Sequence, residues 1–68
     1  MTIYHYRGQK RDGGGVIGAT DTAPEPFVSK AFRNGWQWLD MTDDQGERVG
    51  SIGPHPDTHK RIWWAIDG

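Results

Sequence analysis

The fold is decided by the stretch from Trp36 to Ile52, which is Trp-Gln-Trp-Leu-Asp-Met-Thr-Asp-Asp-Gln-Gly-Glu-Arg-Val-Gly-Ser-Ile. An apolar stretch runs into a polar, glycine-containing turn at 43–46, and a second short apolar stretch follows. This order is typical of a β-hairpin. We predict strands at 36–42 and 48–52. Gly50 should mark a bulge, because Val49 and Ile52 cannot both face inward in a regular strand.

A short helix is predicted before this hairpin, from Glu25 to Asn34. Its apolar residues form one stripe that should pack on the sheet, namely Phe27, Val28, Ala31 and Phe32. Thr22 is a candidate N-cap, and the Asn34-Gly35 pair is a common helix stop.

The remaining segments predict two more strands and a loop. Alternating side chains predict strands at 2–7 and 59–66. Residues 8–20 predict a flexible glycine-rich loop, in which Val16 and Ile17 form a short strand or plug the core edge. We therefore expect one α+β domain, residues 1–68, in the order β-α-β-β-β. A three- to four-stranded antiparallel sheet, ending in a meander, should pack against the one short helix.

The composition limits how such a domain is stabilised. The 68 residues include four Trp, two Tyr and two Phe but no Cys, so neither a disulfide nor a thiolate metal site is available. A chain this short buries about 60% of the surface that it exposes when unfolded. The aromatic residues must carry much of the stability, and a homodimer or another partner would add buried area.

Charge and hydropathy exclude some classes of protein. The net charge of −1 argues against binding a polyanion through bulk charge. Residues 1–34 hold five Lys or Arg and three acids, whereas residues 35–68 hold three and six, so the two parts carry +2 and −3. No apolar run approaches the ~18 residues of a membrane span, and the N-terminus lacks the apolar region of a signal peptide. We expect a cytoplasmic protein without membrane contact.

Motifs for catalysis and cofactor binding are incomplete. Gly13, Gly15 and Gly18 match the G-x-G-x-x-G spacing, but the chain leaves no room for the βαβ unit of a dinucleotide site. No nucleophile-elbow motif surrounds Ser29 or Ser51. We therefore expect a protein that is not an enzyme and that uses no cofactor.

A ligand-like cluster lies at 55–59, His-Pro-Asp-Thr-His. The His55 and His59 imidazoles and the Asp57 carboxylate could hold Zn²⁺ or another divalent ion. Their spacing matches no zinc finger or zincin pattern, and the prolines suit a turn equally well. A polar loop is the favoured interpretation, so we predict no metal site.

The outer face of the sheet is the predicted binding surface. We expect the helix-facing residues of the hairpin and last strand to be Leu39, Met41, Ile62, Trp64 and Ile66. Trp38 and Trp63 would then face outward. The residues predicted to bind a partner are of types enriched at binding hot spots, namely Trp38, Arg61, Trp63, Tyr4 and Tyr6. The alternative is that the first strand or the glycine loop covers this face and makes a second small core.

A pattern of residues runs through roughly the last two-thirds of the chain and comprises Phe27-Val28, Gly35-Trp36, Leu39, Thr42-Asp43, Gly46, Val49-Gly50, Ile52, Arg61 and Trp63-Trp64-Ala65. This pattern resembles small orphan proteins encoded by phages of actinobacteria. The resemblance implies a small accessory protein that binds and modulates a host protein in the cytoplasm of the infected cell. It implies no catalytic residue.

Two other functions remain open. A nucleic-acid binder would use the sheet aromatics and the basic residues of the N-terminal half, namely Arg7, Lys10, Arg11, Lys30 and Arg33. Its affinity would fall steeply with salt. A self-associating structural protein would instead form a homodimer or larger assembly in light scattering.

Overall fold

The computed structural model describes residues 1–67, which form one five-stranded antiparallel sheet and one helix. The elements are β1 (Tyr4–Gln9), β2 (Gly15–Thr20), α1 (Pro24–Arg33), β3 (Trp38–Thr42), β4 (Arg48–Pro54) and β5 (Arg61–Ala65). The strands lie side by side in the order β2-β1-β3-β4-β5. The predicted α+β class and C-terminal meander are confirmed, and the sheet has one strand more than the three to four predicted.

The additional strand is β2, which occupies part of the predicted loop at 8–20. It pairs with β1 over six residue pairs, from Tyr4–Thr20 to Gln9–Gly15. Asp12 and Gly13 form the connecting turn: the Asp12 carboxylate accepts a hydrogen bond from the Gly14 N–H, and Gly13 has a φ of 92°. An Asp-Gly pair is a strong hairpin signal. The glycine content of this segment obscured that signal, because glycine is unfavourable inside most strands.

The helix ends where Asn34-Gly35 predicts. The N–H of Trp36 donates to the carbonyl of Ala31, and the N–H of Gly35 donates to the carbonyl of Phe32. These two bonds define a Schellman motif, and the φ of 84° at Gly35 is the left-handed conformation that the motif requires. The chain therefore turns sharply from α1 into β3.

The core lies between α1 and the central strands. Its buried apolar side chains are Val28, Ala31, Leu39, Met41 and Ile52. The predicted apolar stripe of the helix and the inward orientation of Leu39 and Met41 are both confirmed. α1 packs over β4 and β5, whereas the rings of Trp36 and Tyr6 lie over Gly8 and Gly18 of the other strands.

The predicted bulge is present beside Gly50. Met41 lies opposite Gly50 and Thr42 lies opposite Arg48, so Val49 is the additional residue of β4. The carbonyl of Val49 accepts a hydrogen bond from the N–H of Ile66, with 2.8 Å between N and O. The bulge thus connects β4 to the segment that follows β5.

The predicted orientation of β5 is wrong. Trp63 lies opposite Ile52, and Ala65 lies opposite Gly50, so this pair faces the helix. Ile62, Trp64 and Ile66 are exposed instead. The physical reason is the close approach of the helix, because a Cβ at Gly50 would lie 2.7 Å from the Cγ2 of Val28. Small residues are needed at that contact, and Ala65 of β5 lies there opposite Gly50. Counting the apolar residues on each face of β5 therefore predicted the wrong orientation.

Candidate partner-binding surface

One face of the sheet packs against α1, and we call the opposite side the open face. No second helix or sheet of residues 1–67 covers it. Of the five residues predicted to bind a partner, Trp38 lies on the open face. The other four lie on the helix side, namely Tyr4, Tyr6, Arg61 and Trp63.

The two tyrosines belong to the packing around the core. The Tyr6 ring lies 4.7 Å from the ring of Phe27 and 6.5 Å from that of Trp36, measured between centroids. Tyr4 also packs against the core cluster. Tilted aromatic contacts at these separations contribute to stability beyond their buried area. The tyrosines therefore contribute to the packing on the helix side of the sheet.

Arg61 is held at the C-terminal end of the helix. Its guanidinium donates hydrogen bonds to the carbonyls of Trp36 (3.0 Å) and Phe32 (3.2 Å). The same group lies 4.0 Å from the centroid of the Phe32 ring. A cation is favourable at a helix C-terminus, where carbonyl groups lack partners within the helix. This arrangement assigns Arg61 a part in fastening α1 to β5.

Trp63 fills the space between α1 and β5. Its ring lies 6.5 Å from the ring of Phe32, and the residue packs against the buried cluster. Trp64, the next residue, projects to the other side because successive side chains of a strand alternate. The outward tryptophan of β5 is therefore Trp64 rather than the predicted Trp63.

The open face carries a shallow groove between β3 and the loop that precedes β5. We call it the open-face groove. The residues that line it include Trp38, Asp40, Ser51, Pro54, Ile62 and Trp64. Trp38 is 36% exposed, whereas Ile62 and Trp64 are each 40% exposed. These side chains are partly supported by their neighbours, and they still present apolar surface to solvent.

Charged side chains border this groove. The Asp40 carboxylate lies 3.8 Å from the Nε of Arg48 and accepts a hydrogen bond from the hydroxyl of Ser51 at 3.3 Å. The Arg7 guanidinium lies 6.0 Å from the centroid of the Trp38 ring. Two cations and one carboxylate therefore surround the exposed aromatic residues.

Ile62 and Trp64 are the residues of this surface that the sequence did not assign to it. Their place follows from the pairing of β5 with β4, in which Trp64 lies opposite Ser51 and Ile62 lies opposite Gly53. The polar residue Ser51 was the sequence feature that could have indicated this placement. A side chain directly opposite Ser51 lies on the same face of the sheet as Ser51. Ser51 is in turn opposite Asp40 of β3.

The cluster at 55–59 is organised by hydrogen bonds within its own loop. The Nδ1 of His55 accepts from the N–H groups of Asp57 (3.1 Å) and Thr58 (3.3 Å). His59 adopts a φ of 60°, which lies in the left-handed region. Within residues 1–67, no three His, Cys, Asp or Glu side chains are grouped so that they could hold a metal ion.

Comparisons with known proteins give no relative. No protein-family model matches the chain, and neither a curated protein nor a solved structure matches it. In the part of the chain that the structure describes, no helix has the length and apolarity needed to cross a membrane. The geometry of the open face is therefore the basis for the function proposed below.

Proposed function

We propose that the protein is a small, non-enzymatic protein-binding module whose partner docks on the open-face groove. The observation that carries this proposal is the grouping of Trp38, Ile62 and Trp64 on a face that no element of residues 1–67 covers. Contiguous exposed apolar surface on a small domain marks an interaction site. Tryptophan is also among the residues that contribute most to protein interfaces.

The chemistry of the partner follows from the charges at the rim. Asp40 already has Arg48 and Ser51 as neighbours, whereas Arg48 keeps 60% of its side chain exposed. A suitable partner surface presents an aliphatic or aromatic side chain to the groove. It also presents a carboxylate to the guanidinium of Arg7 or Arg48, since guanidinium–carboxylate pairs add orientation as well as energy.

The biological setting is part of the same proposal. The resemblance to small phage proteins supports a protein of the infected host cell as the partner, and the cytoplasm of that cell as the location. In this setting the module modulates the host protein by occupying its surface.

Nucleic-acid binding is the second candidate, because one observation favours it. Arg7 lies near the exposed ring of Trp38, and cations beside exposed aromatic rings are typical of single-strand binding surfaces. The other basic residues of the N-terminal half do not extend this surface. Lys10 and Arg11 lie at the turn between β1 and β2, and Lys30 and Arg33 lie on α1.

Protein binding and nucleic-acid binding can be distinguished by substitutions on the open face and by the effect of salt on the affinity. A Trp38→Ala/Trp64→Ala double variant should lose a host protein that the native chain captures, while its circular dichroism spectrum stays native. A Lys30→Ala/Arg33→Ala variant, altered on the helix, is the control and should still capture it. The captured protein is then purified and titrated directly against both variants. Equal affinity for the tryptophan variant and the native chain would overturn the proposal.

The same proteins are titrated with a labelled single-stranded oligonucleotide. If the protein-binding proposal is right, the chain shows no salt-sensitive affinity for the oligonucleotide. Such an affinity would fall steeply between about 50 and 200 mM salt, the range over which phosphate contacts are lost. Tight, salt-sensitive binding that needs Trp38 would favour the nucleic-acid candidate instead.

A further inference from the structure

β2 is an edge strand without the features that usually prevent pairing. Its sequence, Gly-Val-Ile-Gly-Ala-Thr, holds no charged residue and no proline, and its register with β1 has no bulge. Ile17, at its centre, is 88% exposed. β5 at the other edge differs, because it begins with Arg61 and packs against α1. Exposed, uncharged edge strands are templates for another strand.

The hydrogen bonds of the hairpin show which backbone groups of β2 point outward. The Lys10 N–H donates to the Gly14 carbonyl at 2.9 Å, so this pair is bonded. Bonded and non-bonded pairs alternate along an antiparallel ladder. The inward bonds to β1 therefore come from Val16, Gly18 and Thr20. The N–H and C=O groups of Gly15, Ile17 and Ala19 point away from β1.

A second observation agrees with this alternation. The carbonyl of Gln9, which lies opposite Gly15, accepts a hydrogen bond from the N–H of Gln37 on the β3 side at 2.7 Å. Gln9 therefore directs its backbone away from β2. Within residues 1–67 no backbone hydrogen bond leaves β2 on its outer side.

We infer that the outer edge of β2 pairs with β2 of a second copy of this chain. The two strands run antiparallel about a two-fold axis that passes beside Ile17, perpendicular to the sheet. The two five-stranded sheets then form one continuous sheet. This pairing uses the edge of the sheet and leaves the open-face groove of each copy free.

The outward groups are complementary to themselves in this register. Ile17 lies opposite Ile17 of the second copy, and Gly15 lies opposite Ala19 of the second copy on both sides of the axis. Each such pair exchanges two hydrogen bonds. All three outward N–H groups and all three outward C=O groups of each strand are then used. Moving the axis to Val16 or Gly18 leaves some of them unpaired, so Ile17 is the favoured centre.

The side chains also suit this register. The two Ile17 side chains meet on the open face, where they form an apolar cross-strand pair. On the helix side, Val16 lies opposite Gly18 of the second copy, where the Tyr6 ring covers the glycine, so the branched side chain meets an aromatic ring. No like charges face each other along the paired segment, because β2 contains none.

The contact is small, which sets the expected strength. A stable interface buries about 1,200–2,000 Å² of accessible surface, and pairing of one edge strand buries less. We therefore expect a reversible dimer. Sedimentation velocity from about 10 μM to 1 mM should show a monomer converting to a dimer, since weak complexes dissociate within this range. A chain that remains monomeric at the highest concentration would overturn the inference.

Two lysine variants distinguish pairing along the β2 edge from pairing through the open-face groove. Ile17→Lys should raise the dissociation constant about tenfold or more, because it places two like charges together at the axis and lysine at an edge opposes pairing. Ile62→Lys, an exposed isoleucine of the open face remote from β2, is the matched control and should leave the dimer unchanged. If Ile62→Lys disrupts the dimer as strongly, the copies pair through the open-face groove and the inference is wrong.

A cysteine variant tests the register directly, since the chain has no cysteine of its own. Ile17→Cys should form an intermolecular disulfide under mild oxidation, because Cα atoms of a bonded antiparallel pair lie about 5.5 Å apart. Gln45→Cys, in the turn between β3 and β4, is the control and should cross-link only at the rate of random collision. Equal cross-linking of the two variants would contradict the proposed axis. Neither result depends on the partner of the open-face groove.

Discussion

The carboxylate of Asp67 accepts a hydrogen bond from the backbone N–H of Glu25, with 2.8 Å between the two atoms. Glu25 is the second residue of α1, and the N-cap residue, Ala23, has no side-chain oxygen to serve this N–H. A residue 42 positions further along the chain therefore supplies the cap. The negative charge also suits the positive end of the helix.

Asp67→Ala should lower the free energy of unfolding by about 1 kcal/mol, the usual effect of removing a helix cap. Asp67→Asn keeps an oxygen acceptor and should lose less. Urea denaturation followed by circular dichroism measures both. An alanine variant as stable as the native chain would show that the bond is not formed in solution.

Arg61→Ala should destabilise the domain by about 1–2 kcal/mol, because the carbonyl of Phe32 in the last turn of α1 and that of Trp36 just beyond the helix lose a charged donor. Arg61→Lys should be intermediate, since an ammonium group cannot reproduce the planar fork of the guanidinium. Lys60→Ala alters the preceding residue and should stay within about 0.5 kcal/mol of the native chain. If both alanine variants have the same stability, Arg61 does not fasten the helix.

Gly50→Ala should destabilise the domain by about 1–3 kcal/mol, the typical effect of overpacking a core. The new methyl group would lie 2.7 Å from the Cγ2 of Val28. Gly53, in the same strand, has no atom within 4 Å of an added Cβ, so Gly53→Ala should be neutral or stabilising. Thermal unfolding of the matched pair checks the close approach of α1 to β4. Adding Val28→Ala to Gly50→Ala should recover part of the loss, since the two residues are in contact.

Trp63→Ala should cost about 3 kcal/mol, the lower end for large side chains, because its partly buried ring packs against the core. Trp64→Ala should cost under about 1 kcal/mol, because the Trp64 side chain lies on the open face. Chemical denaturation of the two neighbouring variants tests the orientation of β5. The reverse order of stabilities would restore the orientation that hydrophobic periodicity predicts.

His55→Ala should loosen the loop at 55–59, because the N–H groups of Asp57 and Thr58 lose their shared acceptor. The expected local result is faster hydrogen exchange at these two amides, and the expected global loss is about 0.5–1.5 kcal/mol. His55→Asn supplies an acceptor typical of such turns and should retain most of the protection. Unchanged exchange in the alanine variant would contradict the role of the Nδ1 atom.

The contrast between Leu39 and Trp63 shows which parts of this fold the sequence encodes locally. The hairpin, the helix and the inward position of Leu39 follow from spacing and turn residues within a few positions. The orientation of β5 depends on the contact of Gly50 with Val28, and no local pattern reveals a contact across layers. The open face was therefore predicted as a surface, but only Trp38 was placed on it correctly. Ile62 and Trp64 resemble core residues in the sequence because they are apolar. Their exposure is set by the register of β5 with β4.

The four indole rings fall into two classes of accessibility. Trp36 and Trp63 pack against the core, and Trp38 and Trp64 look out from the open face. The chain consequently carries an optical reporter that needs no label. A soluble quencher should reach the more exposed outer pair more readily, and docking of a ligand on the open face should shield that pair. Emission from the partly buried inner pair should change most when α1 separates from the sheet, so quenching and emission together report binding and unfolding.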